Sequence, residues 1–244
     1  MGKIFVVGIG PGDKEHMTRE AEHAIEESDL IVGYTTYVEL LRDIYPEKEF
    51  LQTGMKQERE RCELCLRQAQ EGKTVSLICS GDAGVYGMAS LMLEVAGDNS
   101  SIPVRIVSGV TAALSGAALL GAPIGNDFCV ISLSDYLTPW TVIKKRLLSA
   151  AEGDLAIVLY NPSSKNRPDH LKNALNELQK VIGNDRPCGL VRNIGRDGES
   201  AWIGSFEELY DQETDMFTTV FIGNSFTRVI DHKLVTPRGY EGNV

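Results

Sequence analysis

Apolar positions along the first half of the chain recur in two alternating patterns. Short β-branched and aliphatic runs at residues 3–7, 29–33, 74–79 and 104–107 read as strands, and the stretches between them carry apolar side chains at three- and four-residue spacing, as helices do. Helices are expected after Thr18, which precedes REAEHAIE as an N-cap, over 37–45 before Pro46, through the stretch holding Cys62 and Cys65, and over GVYGMASLMLEV from Gly84. The alternation is that of an α/β fold. At its centre lies TVSLICSGDAGVY, residues 74–86, a strand ending in the turn Ser80–Gly81–Asp82. Ligands of open α/β sheets sit outside such carboxyl ends. Asp82 therefore has two readings, a carboxylate that accepts hydrogen bonds beside a ligand or a cap for the following helix.

The second half repeats the theme. Residues 114–121 form a small-residue helix, which packs closely on a sheet or admits a ligand to the backbone, and GAPIGND at 121–127 reads as a linker. Strands are expected at 128–133, 156–160, 188–191 and 218–223, with helices opening at Pro139 as the first helical residue and at Asp169. ESAWIGS, residues 199–205, looks like an antiparallel strand, so the second sheet is expected to be mixed. The expected division is 1–120 and 121–244, with 233–241 irregular.

GIGPG at 8–12 follows the first strand and invites a dinucleotide-binding reading, but Asp13 stands where the third glycine belongs and Pro11 lacks the N–H a phosphate would use. A nucleotide-like ligand without phosphates fits better. The formal net charge of −10 argues against nucleic acid as partner. Hydrophobic residues make up 43% of the chain, yet no run approaches the ~20 apolar residues of a membrane helix, and the start lacks a signal-peptide core. No membrane association and a cytoplasmic location are expected. Of five cysteines only Cys62 and Cys65 form a CxxC; it lies on a helix with no second pair, so no metal site is expected.

Taken in order, GIGPG (8–12), SGDAGVYGMA (80–89), SGVTAA (108–113), SLSDYLTPW (132–140), LYNPSSKNRP (159–168) and LVTPRGYE (234–241) resemble the tetrapyrrole methylase family over nearly the whole chain. The last three resemble the branch that methylates C17 of the precorrin ring in cobalamin biosynthesis. The resemblance implies a homodimer of two αβα domains with S-adenosylmethionine in the cleft between them, S-adenosylhomocysteine as product, and precorrin-3B or cobalt-factor III as substrate. By motif, Pro11, Ser80, Gly81, Asp82, Val85, Thr111, Ala112, Asn161 and Asn193 fall at cofactor-binding positions, although IGR follows Asn193 where relatives have glycine-threonine.

A sulfonium already activates its methyl group, so such a site works mainly by orientation. Ring contraction calls for an acid or base, and Asp135, Ser134 and Tyr86 are the candidates, Asp135 also being placed to cap the helix at Thr138 or Pro139. Lys165, Arg167 and Arg238 are placed to meet substrate carboxylates or to be solvated, and Thr36 and Lys56 lie in loops that relatives use around the substrate. Two other readings are a relative that methylates ribosomal RNA or an elongation factor, against which the acidic balance and SLSDYLTPW and LVTPRGYE speak, and a non-enzymatic sensor of S-adenosylmethionine.

Overall fold

The strand runs of the first half lack polar alternation because both of their faces are covered. In the computed structural model, which describes residues 2–98 and 100–240, the chain divides into two compact units, Met1–Ala112 and Ala113–Val244. The first unit runs β1 (Lys3–Gly8), α1 (Arg19–Glu27), β2 (Leu30–Tyr34), α2 (Thr35–Arg42), β3 (Glu49–Thr53), α3 (Glu58–Gln70), β4 (Thr74–Cys79), α4 (Ala89–Ala96) and β5 (Val104–Val107). Its five strands are all parallel, in the order β3-β2-β4-β1-β5. The pleat sends Ile4, Val6, Val32 and Leu77 against Cys62, Cys65, Ala69 and Met92 of α3 and α4. Phe5, Val7, Ile31 and Ile78 point the other way, onto Ala21, Ile25, Val38 and Leu41 of α1 and α2. Each fully buried aliphatic side chain there contributes about 1.5–3 kcal/mol.

Thr18 caps α1 as expected, its Oγ1 accepting from the Ala21 N–H at 3.1 Å. Two helices differ from the sequence pattern. α2 ends at Arg42 rather than 45, and Thr36 lies inside it rather than in a loop. α4 begins at Ala89 rather than Gly84, because Tyr86 is left-handed at φ 55° and interrupts helical geometry. Cys62, Cys65 and Cys79 belong to the core, where burial pushes the Cys62 thiol up to about 11, Cys79 to about 12, and Cys65 further up. Thiols so placed act as small apolar residues.

The second unit carries α5 (Ala112–Leu120), β6 (Gly121–Ala122), β7 (Phe128–Ser132), α6 (Trp140–Glu152), β8 (Ala156–Tyr160), α7 (His170–Leu178), β9 (Pro187–Arg192), β10 (Ser200–Ser205), β11 (Thr218–Ile222), β12 (Arg228–Ile230) and β13 (Lys233–Val235). The main sheet has the order β10-β9-β11-β8-β7 and is mixed: only β7 and β8 pair in parallel. α6 and α7 cover one face through Ile143, Leu147, Leu171 and Leu175. α5 covers the other, so close that a Cβ on Gly116 would lie 2.9 Å from Val191 Cγ2 and 3.0 Å from the Phe221 ring. Sheet packing explains the small residues of that helix, and the division between the units falls at its start rather than after residue 120.

Two segments expected to be irregular are paired instead. Gly121–Ala122, at the head of the linker stretch 121–127, forms β6, and Lys233–Val235, within 233–241, forms β13 between β6 and β12. Asp231 and His232, at φ 47° and 58°, turn the chain from Ile230 to its partner Lys233, and the wholly buried Leu234 anchors the strand. A two-residue loop with both residues left-handed is the tight hairpin turn, here made without the usual Asn-Gly. Glu241, the last residue of LVTPRGYE, lies outside the described residues. Among the described residues no helix is long and apolar enough to cross a membrane.

Candidate active site

In the first unit the candidate positions gather where the connections leave adjacent strands for opposite faces. From β1 the chain passes to α1 and from β4 to α4, on the two sides of the sheet. Such a divergence leaves a crevice at the carboxyl edge. Gly10 and Gly81 bridge it, with N–H to carbonyl distances of 3.0 and 2.7 Å and φ of 77° and 69°, a conformation that glycine adopts without strain. Gly8 and Gly109 press into the same crossing: a Cβ on Gly109 would lie 2.2 Å from the Gly81 carbonyl oxygen and 2.5 Å from that of Gly8.

Asp82 organises this edge. Its Oδ1 accepts from the N–H groups of Gly84 at 2.8 Å and Val85 at 3.0 Å, and its Oδ2 accepts from the Gly109 N–H at 2.9 Å. It does not cap α4, whose N-cap is Met88 without a side-chain bond. A carboxylate offers about four acceptor sites, so this one retains capacity for one more donor. Thr111 and Ala112 are beside it, 3.7 Å (Cα) and 3.9 Å (N) from where a Gly81 Cβ would be. Pro11, Ser80, Gly81, Asp82, Thr111 and Ala112 are therefore assembled on one edge, with Val85 and Tyr86 exposed on the loop that Asp82 shapes. Tyr86 holds a strained left-handed backbone, and so does Lys56, at φ 67°.

In the second unit β7, β8 and β9 point the same way, β8 and β9 being each antiparallel to β11. Their carboxyl ends share an edge. Asn161 and Asn193 close β8 and β9 there in left-handed conformations, φ 54° and 53°. Asn161 Nδ2 donates to Ser132 Oγ at 2.9 Å, and Ser132 Oγ also accepts from the Ser134 N–H at 3.2 Å. Arg167 Nη1 continues the chain of bonds to Ser134 Oγ at 3.1 Å and Asp135 Oδ1 at 2.9 Å. Asn193 stands apart from this network, its N–H on the Phe217 carbonyl at 3.2 Å.

Asp135 does not cap α6, which starts at Trp140 with Pro139 as N-cap, one residue later than the sequence suggests. It pairs instead with Arg167, and His170 Nε2 lies 3.2 Å from the same oxygen, off the line of a hydrogen bond. Desolvation alone would raise this carboxyl; the Arg167 guanidinium and the His170 imidazole more than offset it, and its pKa falls below the usual carboxylate value. The sign of the linkage follows from that depression. The pair's contribution to stability is present above the unfolded carboxyl pKa of about 3.9 and is lost as pH falls through the lower folded value. Asp135→Asn should accordingly flatten the acid limb of a denaturation free-energy profile, over roughly pH 2 to 6, relative to the unsubstituted protein.

Lys165 is exposed at the tip of a turn closed by mutual backbone bonds between Ser164 and Arg167, and it lines a groove of about 730 Å³ with Lys172, Tyr210, Glu213 and Phe217. Arg238 lies over the Tyr240 ring instead, outside the Arg167 network. The sequence pattern did not single out His170, Ser132, Gly8 or Gly109. Gly8, Gly109 and Ser132 fall inside the motifs GIGPG, SGVTAA and SLSDYLTPW without being marked individually, and His170 lies outside all of them.

Residues 3–210 match the family model described as Tetrapyrrole (Corrin/Porphyrin) Methylases. A protein of Salmonella typhimurium, described as a probable cobalt-factor III C(17)-methyltransferase, is 44% identical over 97% of this chain and 99% of its own length. The cobalt-factor III methyltransferase of Priestia megaterium is 43% identical over 98% of this chain, which spans only 45% of that relative's length. The crystal structure of the methyltransferase CobJ superposes with a TM-score of 0.92 at 35% identity, covering 97% of this chain and 100% of its own.

Proposed function

The chain belongs to the tetrapyrrole (corrin/porphyrin) methylases, and from that premise we propose that it methylates C17 of precorrin-3B or cobalt-factor III, with ring contraction, in cobalamin biosynthesis. The observation that carries this reading is the likeness to the Salmonella protein along 99% of that protein's length, through both units of the fold. The proposed methyl donor is S-adenosylmethionine, which brings a methyl group already activated by its sulfonium.

The first unit fits such a donor. Glycines keep side chains away from the edge at Gly81, Thr111 and Ala112 offer backbone beside it, and the spare acceptor site of Asp82 suits a hydroxyl of the sugar. Pro11, Ser80 and Val85 complete that contact surface, and Asn161 and Asn193, left-handed at the ends of β8 and β9, are proposed as further cofactor-binding residues. Lys165, Arg167 and Arg238 are proposed to meet the acetate and propionate carboxylates of the macrocycle. Asp135, kept ionised by Arg167, holds no proton to give at neutral pH and acts as an acceptor. Ser134, oriented by the same guanidinium, and the Tyr86 phenol remain the candidate proton carriers for contraction. A cytoplasmic homodimer is part of the same proposal.

The test is anaerobic incubation with methyl-labelled S-adenosylmethionine and each macrocycle, read by mass and absorption spectra. Label is expected in one of the two with the mass of a contracted, methylated product. Binding of S-adenosylhomocysteine with no label in either would overturn the assignment of substrate while leaving the family intact.

A further inference from the structure

A guanidinium held by one nitrogen presents the other two as a fork. Both protons of Arg167 Nη1 are engaged, by Ser134 Oγ at 3.1 Å and Asp135 Oδ1 at 2.9 Å. Nε and Nη2 have no hydrogen-bond partner among the described residues, and the side chain keeps 33% of its surface exposed. The backbone beneath is fixed as well, Arg167 N–H to Ser164 carbonyl at 2.9 Å and the reverse bond at 3.1 Å. The group is tethered at its base and at one corner, and its remaining edge has the spacing that takes both oxygens of a carboxylate.

The tether depends on Asp135, whose side chain is 39% exposed and would otherwise swing into water. His170 stands directly beside it. It is the first residue of α7, only 13% of its side chain is exposed, and its ring meets Trp140 edge-on with centroids 5.5 Å apart. From there Nε2 reaches to 3.2 Å of Asp135 Oδ1, the oxygen that also holds Arg167. The three side chains come from the loop after β7, the loop after β8 and the start of α7, so the contact ties two sheet-edge loops to a packed helix.

We propose that His170 is a positioning residue, bracing Asp135 so that the Nε–Nη2 edge of Arg167 binds one side-chain carboxylate of the macrocycle in a bidentate pair. This deepens, and rests on, the reading of the substrate as a carboxylated tetrapyrrole. Lysine at 167 would keep the charge and lose the fork. Loss of His170 would keep the fork and lose its aim.

The experiment measures equilibrium binding of uroporphyrin III and of its octa-amide to the full chain, in the unsubstituted protein and in His170→Phe, His170→Gln and Arg167→Lys, beside methyl transfer and S-adenosylhomocysteine binding. The unsubstituted protein should prefer the acid by about tenfold or more. His170→Phe keeps a ring against Trp140 but no polar nitrogen beside Asp135, and most of that preference should vanish while S-adenosylhomocysteine affinity stays constant. His170→Gln, which restores a polar nitrogen beside Asp135, should recover it, and Arg167→Lys should behave as His170→Phe does. An undiminished preference in His170→Phe, no preference in the unsubstituted protein, or a parallel loss of S-adenosylhomocysteine binding overturns the inference. Preference for the acid without methylation of either natural macrocycle sinks the functional reading alone; methylation with His170→Phe indistinguishable from the unsubstituted protein sinks this inference alone.

Discussion

Gly109→Ala is expected to cost about 3 kcal/mol or more of folding free energy and to abolish measurable S-adenosylhomocysteine binding. The added Cβ would lie 2.2 Å from the Gly81 carbonyl oxygen, 2.5 Å from the Gly8 oxygen and 2.6 Å from the Gly8 carbonyl carbon. All three are backbone atoms, so no side chain can rotate out of the way. Relief requires β5 to retreat from β1, and with it goes the 2.9 Å bond from the Gly109 N–H to Asp82 Oδ2. The edge that gathers Gly10, Gly81 and Asp82 then loses its third wall. Gly72→Ala separates this effect from glycine's backbone freedom: Gly72 is left-handed at φ 99° with nothing within 4 Å of its Cβ position. Strain alone should cost about 1 kcal/mol there and leave ligand binding intact. Chemical denaturation and calorimetric titration decide the matter. A Gly109→Ala chain as stable as Gly72→Ala, with unimpaired binding, would show that the glycine crossing does not build the site.

The parts of the fold legible in the sequence are those whose environment repeats along an element. Strands β1, β2 and β4 are covered on both faces, so their apolar runs are continuous and unmistakable, and α1 carries both an apolar stripe and a Thr18 cap. What was not legible depends on partners far away in the chain. Nothing local to Lys233–Val235 announces a strand, because its pairing with Gly121–Ala122 spans over a hundred residues and its turn uses Asp231 and His232. The start of α4 was misplaced for a similar reason. GVYG has apolar side chains at suitable spacing, but the amides of Gly84 and Val85 are claimed by Asp82 and Tyr86 is left-handed, so propensity yields to a side-chain bond. The same holds in the candidate site. Motifs marked Asp82, Asn161 and Arg167 as individuals, whereas His170 matters only through Asp135, thirty-five positions earlier, and no spacing rule connects them. Asp135 itself, read as either a cap or an acid, is held by a guanidinium that only folding brings to it.

Asp82→Asn should impair binding nearly as much as Asp82→Ala, weakening S-adenosylhomocysteine about 30-fold and costing about 2 kcal/mol of stability. Polarity and size survive in the amide; acceptor count does not. The carboxylate accepts from three backbone donors, two on Oδ1 and one on Oδ2. An amide has one accepting oxygen, so whichever way it turns, its NH₂ group faces a backbone N–H. With the oxygen toward Gly84 and Val85, the opposed donor is the part-buried Gly109 amide, which water cannot readily serve. In the flipped orientation Gly109 is satisfied, and the loop carrying Val85 and Tyr86 comes loose. Either loss displaces a part of the edge on which the donor is proposed to rest. If Asp82 acted only as a polar contact to the ligand, its asparagine variant would retain most of the affinity and only the alanine variant would fail. Titration of S-adenosylhomocysteine into both variants, with denaturation curves alongside, separates the cases: near-equal losses mark a carboxylate that shapes the loop, and a wide gap marks one that merely touches the ligand.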